Sequence, residues 1–443
     1  MLTTNHDPVK IPKMSSEPAN RAHPPSPRQW LLVCAFGIAA CDAVDPPPPE
    51  PEFCDIYPCM GMELVSLLSA DQLGLSEEDM DEGNLNDMWG WTDPVTGTEW
   101  ALVGLSHGTA FVNLEDPGHP VHAAFLPFTQ GAQPSLWRDI KVYSDHAFIV
   151  ADGAKHHGMQ VVDLTRLREI TETPSRIEPL TVYDRIQSAH NIAINEETGF
   201  AYVLSANGGE ETCGGGMHMV DIRTPATPTF AGCFADESEG LHGRTHDAMC
   251  VVYRGPDAEH RGREICFLSN YEVLSIADVS DKHAPVALSR AAYPVVEYAH
   301  QAWLDESQEY LYMGDEYDES IGLLEATRTL VWDVKDLDDP VLVREFMGTT
   351  PASDHNLYIV GDLMYQSNYA AGLRVASIAD RENPVEVAFF DPTPDDSNEP
   401  EVHGSWSNYP FFASGIIAFT NHSHPWDRSR PPGDVFFVRL TGR

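Results

Sequence analysis

A polar signature returns about every fifty residues along this chain, and it constrains the fold more than any other feature. It reads NDMWGW at Asp87, WRDIKV at Asp139, AHNIAI at His190, THDAMC at His246, AHQAWL at His300, DHNLYI at His355 and VHGSWS at His403. Successive intervals are 52, 51, 56, 54, 55 and 48 residues. A period of this length signals a repeat architecture, in which each supersecondary unit buries its faces against its neighbours. Each unit holds four short apolar runs. After AHNIAI come a turn at Glu196–Gly199, a second run from Phe200 to Ser205, a glycine-rich loop, the third run GMHMVDI and a proline-punctuated fourth, TPATPTFAGCF. Third runs elsewhere read AFVNL, MQVVDL, LSIADV, TLVWDV, LRVASI and VFFVRL.

Seven such units predict an all-β chain, a seven-bladed β-propeller of four-stranded blades over residues 53–443. A ring of small sheets also explains how 443 residues escape the usual size limit of a single core. The proline falls before or at each fourth run, where an outer edge tolerates a missing N–H. The last unit stops after its third run at Leu440. The segment MELVSLLSADQLG, from Met62 to Gly74, is therefore expected to supply the missing fourth strand and close the ring.

Asp and Glu number 68 against 27 Lys and Arg, a net charge of −41. Such a field repels phosphate backbones and anionic headgroups, so nucleic acid is excluded as a partner. No Ca-loop pattern accompanies the carboxylates, which read as a solvating surface. At the N-terminus, Arg21 and Arg28 precede WLLVCAFGIAA (30–40), an apolar run too short to span a bilayer. It ends in Ile38-Ala39-Ala40-Cys41, which resembles the bacterial lipobox and implies lipid on Cys41; a plain secretory signal with an incidental Cys41 is the other reading. Residues 1–40 are expected to be a lipoprotein-type signal peptide, with translation starting at Met1 or at Met14. Residues 41–52 are read as lipidated cysteine and Pro/Glu tether. The expected product is a monomer exported to the bacterial cell envelope or surface, touching membrane through its lipid alone. Export places Cys54, Cys59, Cys213, Cys233, Cys250 and Cys266 in an oxidising compartment. Six cysteines allow fifteen connectivities. Sequence proximity favours Cys54–Cys59, Cys213–Cys233 and Cys250–Cys266.

The third runs MQVVDL, MHMVDI, LSIADV and TLVWDV look like LVIVD repeats. Together with NDMWGWTDPVTGTEWALVG, HGTAFVNLEDP, WRDIKVYSDHAFIV, SAHNIAINEETGFAYV, GPDAEHRGREIC and DHNLYI, they resemble the choice-of-anchor B family of bacterial surface proteins. The likeness runs from Cys54 to Leu440 and implies an exported propeller; it implies no activity. One departure is AGLRVASI, with Ser377 where other repeats place Asp, and another is the long final loop, Asn421 to Asp434.

In a propeller the first strand of each blade lines the central channel. The recurrent pairs Arg138-Asp139, His190-Asn191, His246-Asp247, His300-Gln301 and His355-Asn356 are thus expected to ring one channel mouth, joined by His403. The ends of the second strands, Asp152, Asn207, Asn270, Asp315, Asn368 and Asn421, are expected on the same face, with His107, His156, His157, Glu316, Asp318, His422 and His424 in adjoining loops. One residue per blade suits a structural tie between blades. The same imidazoles suit a divalent transition metal held by His190, His246, His300 and His355, with Asp139 or Asp315 completing the shell. Simple ligand-binding polarity is the third reading. The run Asp315 to Glu319 (DEYDE) reads as a solvated loop, and Trp89, Trp91, Trp137, Trp303 and Trp406 as packing between blades. No HExxH or Walker motif is present. The expectation is a module that binds an unidentified protein or small ligand through its His/Asp/Asn face; a metal-dependent hydrolase or oxidoreductase is the alternative, and the sequence leaves catalysis open.

Overall fold

A computed structural model describes residues 52–75, 85–236, 243–394, 397–422 and 433–442. The expected signal peptide, Cys41 and nearly all of the tether lie outside the described residues, as do His424 and most of the final loop. The described chain is all-β: seven four-stranded antiparallel blades form a β-propeller, with only two short 3-10 turns among the described residues. None of its described helices is long and apolar enough to cross a membrane.

From the channel outward, blade 1 comprises Leu85–Thr92, Glu99–Leu105, Gly108–Asn113 and Val121–Pro127. Blade 2 runs Arg138–Tyr143, His146–Ala151, Met159–Asp163 and Thr181–Tyr183. Blades 3 to 6 begin with inner strands Asn191–Asn195, Asp247–Val252, Ala299–Leu304 and Leu357–Val360. Blade 7 has inner strands Gly404–Tyr409, Ile416–His422 and Asp434–Leu440, and its fourth strand is Met62–Ser69, paired antiparallel with Met62 opposite Leu440. The expected closure by the N-terminal segment is therefore present. Just upstream, the hairpin Glu52–Cys54 and Tyr57–Met60 adds to the outer edge of blade 6, and Cys54–Cys59 staples it. The other disulfides, Cys213–Cys233 and Cys250–Cys266, also follow the pairing that proximity favours.

Side-chain alternation explains the packing. Successive residues of a strand face opposite sides of a blade, so each blade feeds two cores. In the third strand of blade 2, Val161 joins the cluster shared with blade 3, while Val162 joins the cluster shared with blade 1. Seven large apolar clusters result, one at each blade interface. Pro120, Pro228, Pro285, Pro340 and Pro384 each stand immediately before an outer strand, as the sequence predicts.

The aspartate of the third strand has a definable task. Asp163, Asp221, Asp278 and Asp333 each accept the backbone N–H two residues on, at 2.9–3.0 Å, turning the chain toward the fourth strand. Asn113 does the same at 2.7 Å, and Ser377 retains a longer version through its hydroxyl at 3.4 Å.

Candidate functional site

The inner strands carry irregularities where the signature lies. In blades 1, 5 and 7 the register against the second strand slips between Leu85 and Met88, between Ala299 and Ala302, and between Ser405 and Asn408. The residues left unpaired are Asn86-Asp87, His300-Gln301 and Trp406-Ser407. Bulges of this kind bend a strand and re-aim its side chains, here toward the channel.

At one mouth, the imidazole end, aromatic rings form a continuous arc. Ring centroids are 4.6 Å apart for His190–His246, 4.4 Å for His246–His300, 4.3 Å for His300–His355, 4.3 Å for His355–Trp406 and 4.9 Å for Trp406–His422. These rings, with Asp152, Glu316 and tyrosines 271, 298 and 317, line a cavity of about 230 Å³. The arc doubles as inter-blade stitching. His246 Nδ1 donates to the His300 carbonyl at 2.7 Å, His355 Nδ1 to the Trp406 carbonyl at 2.5 Å, and His422 Nδ1 to the Leu85 carbonyl. A ring nitrogen facing a carbonyl must carry its proton, so Nε2 of each neutral ring keeps its lone pair. Burial holds His246 and His300 well below the ordinary imidazole range, and His355 down to about 3.

One carboxylate enters this arc. Glu316 Oε2 lies 3.6 Å from His300 Nε2, and Glu316 Oε1 accepts from the Tyr369 hydroxyl at 2.5 Å. Burial pushes the Glu316 carboxyl up to about 7. Donor atoms of His300, Glu316 and His355 all lie within 4.8 Å of one another. His190 sits beside Asp152 instead, at 3.2 Å. Of the four histidines expected to hold a metal, the structure thus gathers two with a carboxylate and leaves His190 and His246 outside that trio.

Other expected residues are placed differently. His403 precedes Gly404 and does not line the cavity; Trp406 takes the blade 7 position in the arc. Gly404 has φ +107°, and a Cβ there would meet the Tyr369 carbonyl oxygen at 2.1 Å, so the chain enters blade 7 by a path closed to larger residues. The main chains of Asn270 and Asn368 bond within their own turns, and neither side chain lines the cavity. Asp315 accepts the N–H groups of Glu297 and Tyr298 and pairs with Arg328 at 3.3 Å. His157 is buried, with Nδ1 donating to the Gly158 carbonyl at 2.9 Å, whereas His156 is exposed. The DEYDE segment is not a solvated loop. Asp315, Glu316, Asp318 and Glu319 are all buried: the buried Arg328 guanidinium pairs with Asp315, with Asp318 at 2.8 Å and with Glu345 at 3.1 Å, its main-chain N–H donates to Glu319, and Glu316 turns into the arc.

Asp139 belongs to the opposite half of the channel. Beneath the imidazoles, Asp87, Asp139, Asn191, Gln301 and Asn356 form a polar layer that ties blade to blade. Asp139 accepts the Ile192 N–H at 2.7 Å, Gln301 the Leu357 N–H at 3.0 Å, and Asn191 Nδ2 donates to the His246 carbonyl at 2.9 Å. Beyond this layer opens a second cavity of about 460 Å³, the aromatic end, which shares no lining residue with the first. Trp89, Trp303, Tyr358, Tyr409 and Phe411 form its wall, and Lys141 reaches in from blade 2. Trp89 and Trp303 at this end, and Trp137 and Trp406 at the other, line the cavities; Trp89 and Trp91 also pack in the cluster between blades, with Trp303 against it, and Trp91 donates to Asp145 at 3.0 Å. The signal for the second cavity lies two residues beyond Asp87, Asp139, Asn191, Asp247, Gln301, Asn356 and Ser407: Trp89, Lys141, Ala193, Met249, Trp303, Tyr358 and Tyr409.

No protein-family model and no curated protein matches the chain. Among solved structures it is similar to the outer coat vertex of COPII on membranes, at 10% identity over 82% of this chain and 85% of that one, with a TM-score of 0.53. Kuenenia stuttgartiensis hydrazine synthase has a TM-score of 0.48 at 10% identity, covering 72% of this chain and 88% of that chain. A Lactobacillus plantarum protein has a TM-score of 0.48 at 11% identity, covering 76% and 88%. At 10% identity the likeness to the COPII coat bears on the fold alone.

Proposed function

We propose that the protein is a lipid-anchored, cell-envelope β-propeller of the choice-of-anchor B type that captures a small polar ligand at its imidazole end. The observation that carries this reading is the cavity of about 230 Å³ in which neutral imidazoles, tyrosines and Glu316 converge on a common axis. Imidazoles whose Nδ1 protons are held by carbonyls offer Nε2 as fixed acceptors, which favours ligands rich in N–H or O–H groups. The test is thermal unfolding of tag-free protein across sugars, amino acids and polyamines. A ligand should raise the midpoint of the native chain and not that of His246→Ala. If no member of these classes shifts the native protein, the reading fails. Anchoring is checked separately: Cys41→Ser should abolish palmitate labelling and membrane fractionation.

The trio His300, His355 and Glu316 favours a second reading, a bound divalent transition metal. Nδ1 of His355 is held by a carbonyl and Glu316 by Tyr369, the kind of outer support that orients metal ligands. Elemental analysis should then find one equivalent of metal, lost from a His300→Ala/His355→Ala double variant. Metal-free protein whose unfolding is indifferent to chelators would remove this reading and leave the first.

A further inference from the structure

The aromatic end combines three features that together specify a ligand class. Its wall is a set of aromatic rings in mutual contact, with centroids 5.0 Å apart for Trp303–Tyr358, 6.2 Å for Trp303–Phe411 and 6.0 Å for Tyr358–Phe411. Ring faces carry the negative part of an aromatic quadrupole and attract cations, most strongly those with a thin hydration shell. Its floor is carboxylic. Asp139 and Asp247 line the cavity, with Asp87 directly behind, and Lys141 is the ammonium set among them.

Lys141 shows how such a cation is received. Its Nζ lies 4.5 Å from the centroid of the Trp89 ring, bonds to Asp139 and stands 3.7 Å from Asp87. Blade 4, one blade beyond blade 3, the neighbour of blade 2, repeats the carboxylate without a cation of its own. Two residues beyond Asp247 stands Met249, where blade 2 has Lys141 two beyond Asp139. Asp247 accepts the Ala248 N–H at 2.6 Å, and no side-chain cation lies within ion-pair distance of it among the described residues. Burial and then Asp139 push its carboxyl up to about 7, which the more distant Lys141 ammonium offsets only in part. The amides of the floor are engaged between blades: Asn191 with His246, Gln301 with Leu357, and Asn356 with Ser407 at 3.2 Å. That engagement leaves few free amide groups for reading the hydroxyls of a neutral saccharide, whereas the carboxyl of Asp247 remains to meet a positive charge. Glu196 and Glu197 stand at the rim, and of these Glu197 is paired with Arg254 at 2.6 Å.

We propose that the aromatic end is a binding site for an organic quaternary ammonium ion, received on the ring faces of Trp303 and Phe411 and neutralised by Asp247. Neither the imidazole cavity nor a metal enters this site, so the two readings stand or fall separately.

The experiment is calorimetric titration of the full chain with choline, set against dimethylbutanol, its uncharged carbon isostere. Choline should bind, and the isostere at least tenfold more weakly. Asp247→Asn and Trp303→Ala should each weaken choline at least tenfold, while Trp303→Phe, which keeps an aromatic face and guards against misfolding, should retain most of the affinity. Absence of choline binding by the native chain would overturn the proposal. So would equal binding of choline and its isostere, or unchanged affinity in a folded Asp247→Asn protein.

Discussion

The two ends of the channel are made from the same seven inner strands, yet they differ in kind. At the imidazole end the repeat is largely kept, and the ring protons of His246, His355 and His422 go to main-chain carbonyls of the next blade. At the aromatic end the repeat is broken: blades 5, 6, 7 and 1 contribute Trp303, Tyr358, Tyr409 and Trp89, and blades 2, 3 and 4 contribute Lys141, Ala193 and Met249. Residues that recur serve the ring, since every blade interface needs the same tie. Residues that vary shape a lopsided cavity, which is what a ligand without sevenfold symmetry requires. Repetition of a polar residue in a repeat protein is thus as much a record of assembly as of chemistry.

The comparison can be broken most severely by opening the ring that both ends share. Deleting residues 60–75 removes Met62–Ser69 and exposes the edge strand Asp434–Leu440. The unfolding temperature should fall by on the order of 10 °C or more, with both cavities lost together; unfolding that matches the intact chain would show the strand to be an ornament. Next, Asp139→Ala removes the nearer carboxylate of the largely buried Lys141 ammonium, leaving Asp87 at 3.7 Å, and should cost about 3 kcal/mol in denaturant unfolding. His246→Ala, which gives up one neutral hydrogen bond, should cost about 1–2 kcal/mol. An equal cost for both would erase the proposed distinction between charged and neutral stitching.

Acidity sharpens the contrast further. With its folded value near 7 against an ordinary 4.5, Glu316 holds a proton through a window in which the unfolded chain has released it. Its contribution to stability therefore falls as pH rises from about 4.5 to about 7, by about 3 kcal/mol in all. His355, held down to about 3, acts oppositely: below the ordinary imidazole value the unfolded chain takes up a proton that the folded one refuses, so stability falls as pH drops through that range. Glu316→Gln should cancel the first slope and leave the second, in chemical unfolding measured from pH 4 to pH 8. If the variant and native profiles stay parallel, Glu316 takes up its proton in the fold just as it does in the unfolded chain. The smallest effect is expected at Ser377→Asp, which restores the carboxylate turn of the other blades and should stabilise by about 0.5 kcal/mol.

The blades, their number and the closing strand were legible because period-two alternation, third-strand aspartates and outer-strand prolines are local consequences of sheet geometry. The arc of His190, His246, His300 and His355 was legible for the same reason. What stayed hidden depended on contacts far apart in sequence. Arg328 turns DEYDE from a solvated loop into buried ion pairs, and nothing in that run announces a guanidinium 13 residues beyond Asp315. Trp406, three residues past His403, takes the blade 7 place in the arc because a bulge shifts the strand. The aromatic cavity was spelled out two residues after each position of the polar layer, but tryptophans that pack between blades do not announce that they also line a channel.

The strand Met62–Ser69 is the first of the described propeller strands to be synthesised after the blade 6 hairpin, and Asp434–Leu440, its partner, is the last. Completion of the seventh blade therefore waits for its third strand to find a fourth that was made long before it. The entropic toll of bringing such distant segments together grows only with the logarithm of the intervening length. Until they meet, blades 1 and 7 each present an unsealed flank, so whatever handles the nascent protein must keep those flanks apart from other chains before the circle is made whole.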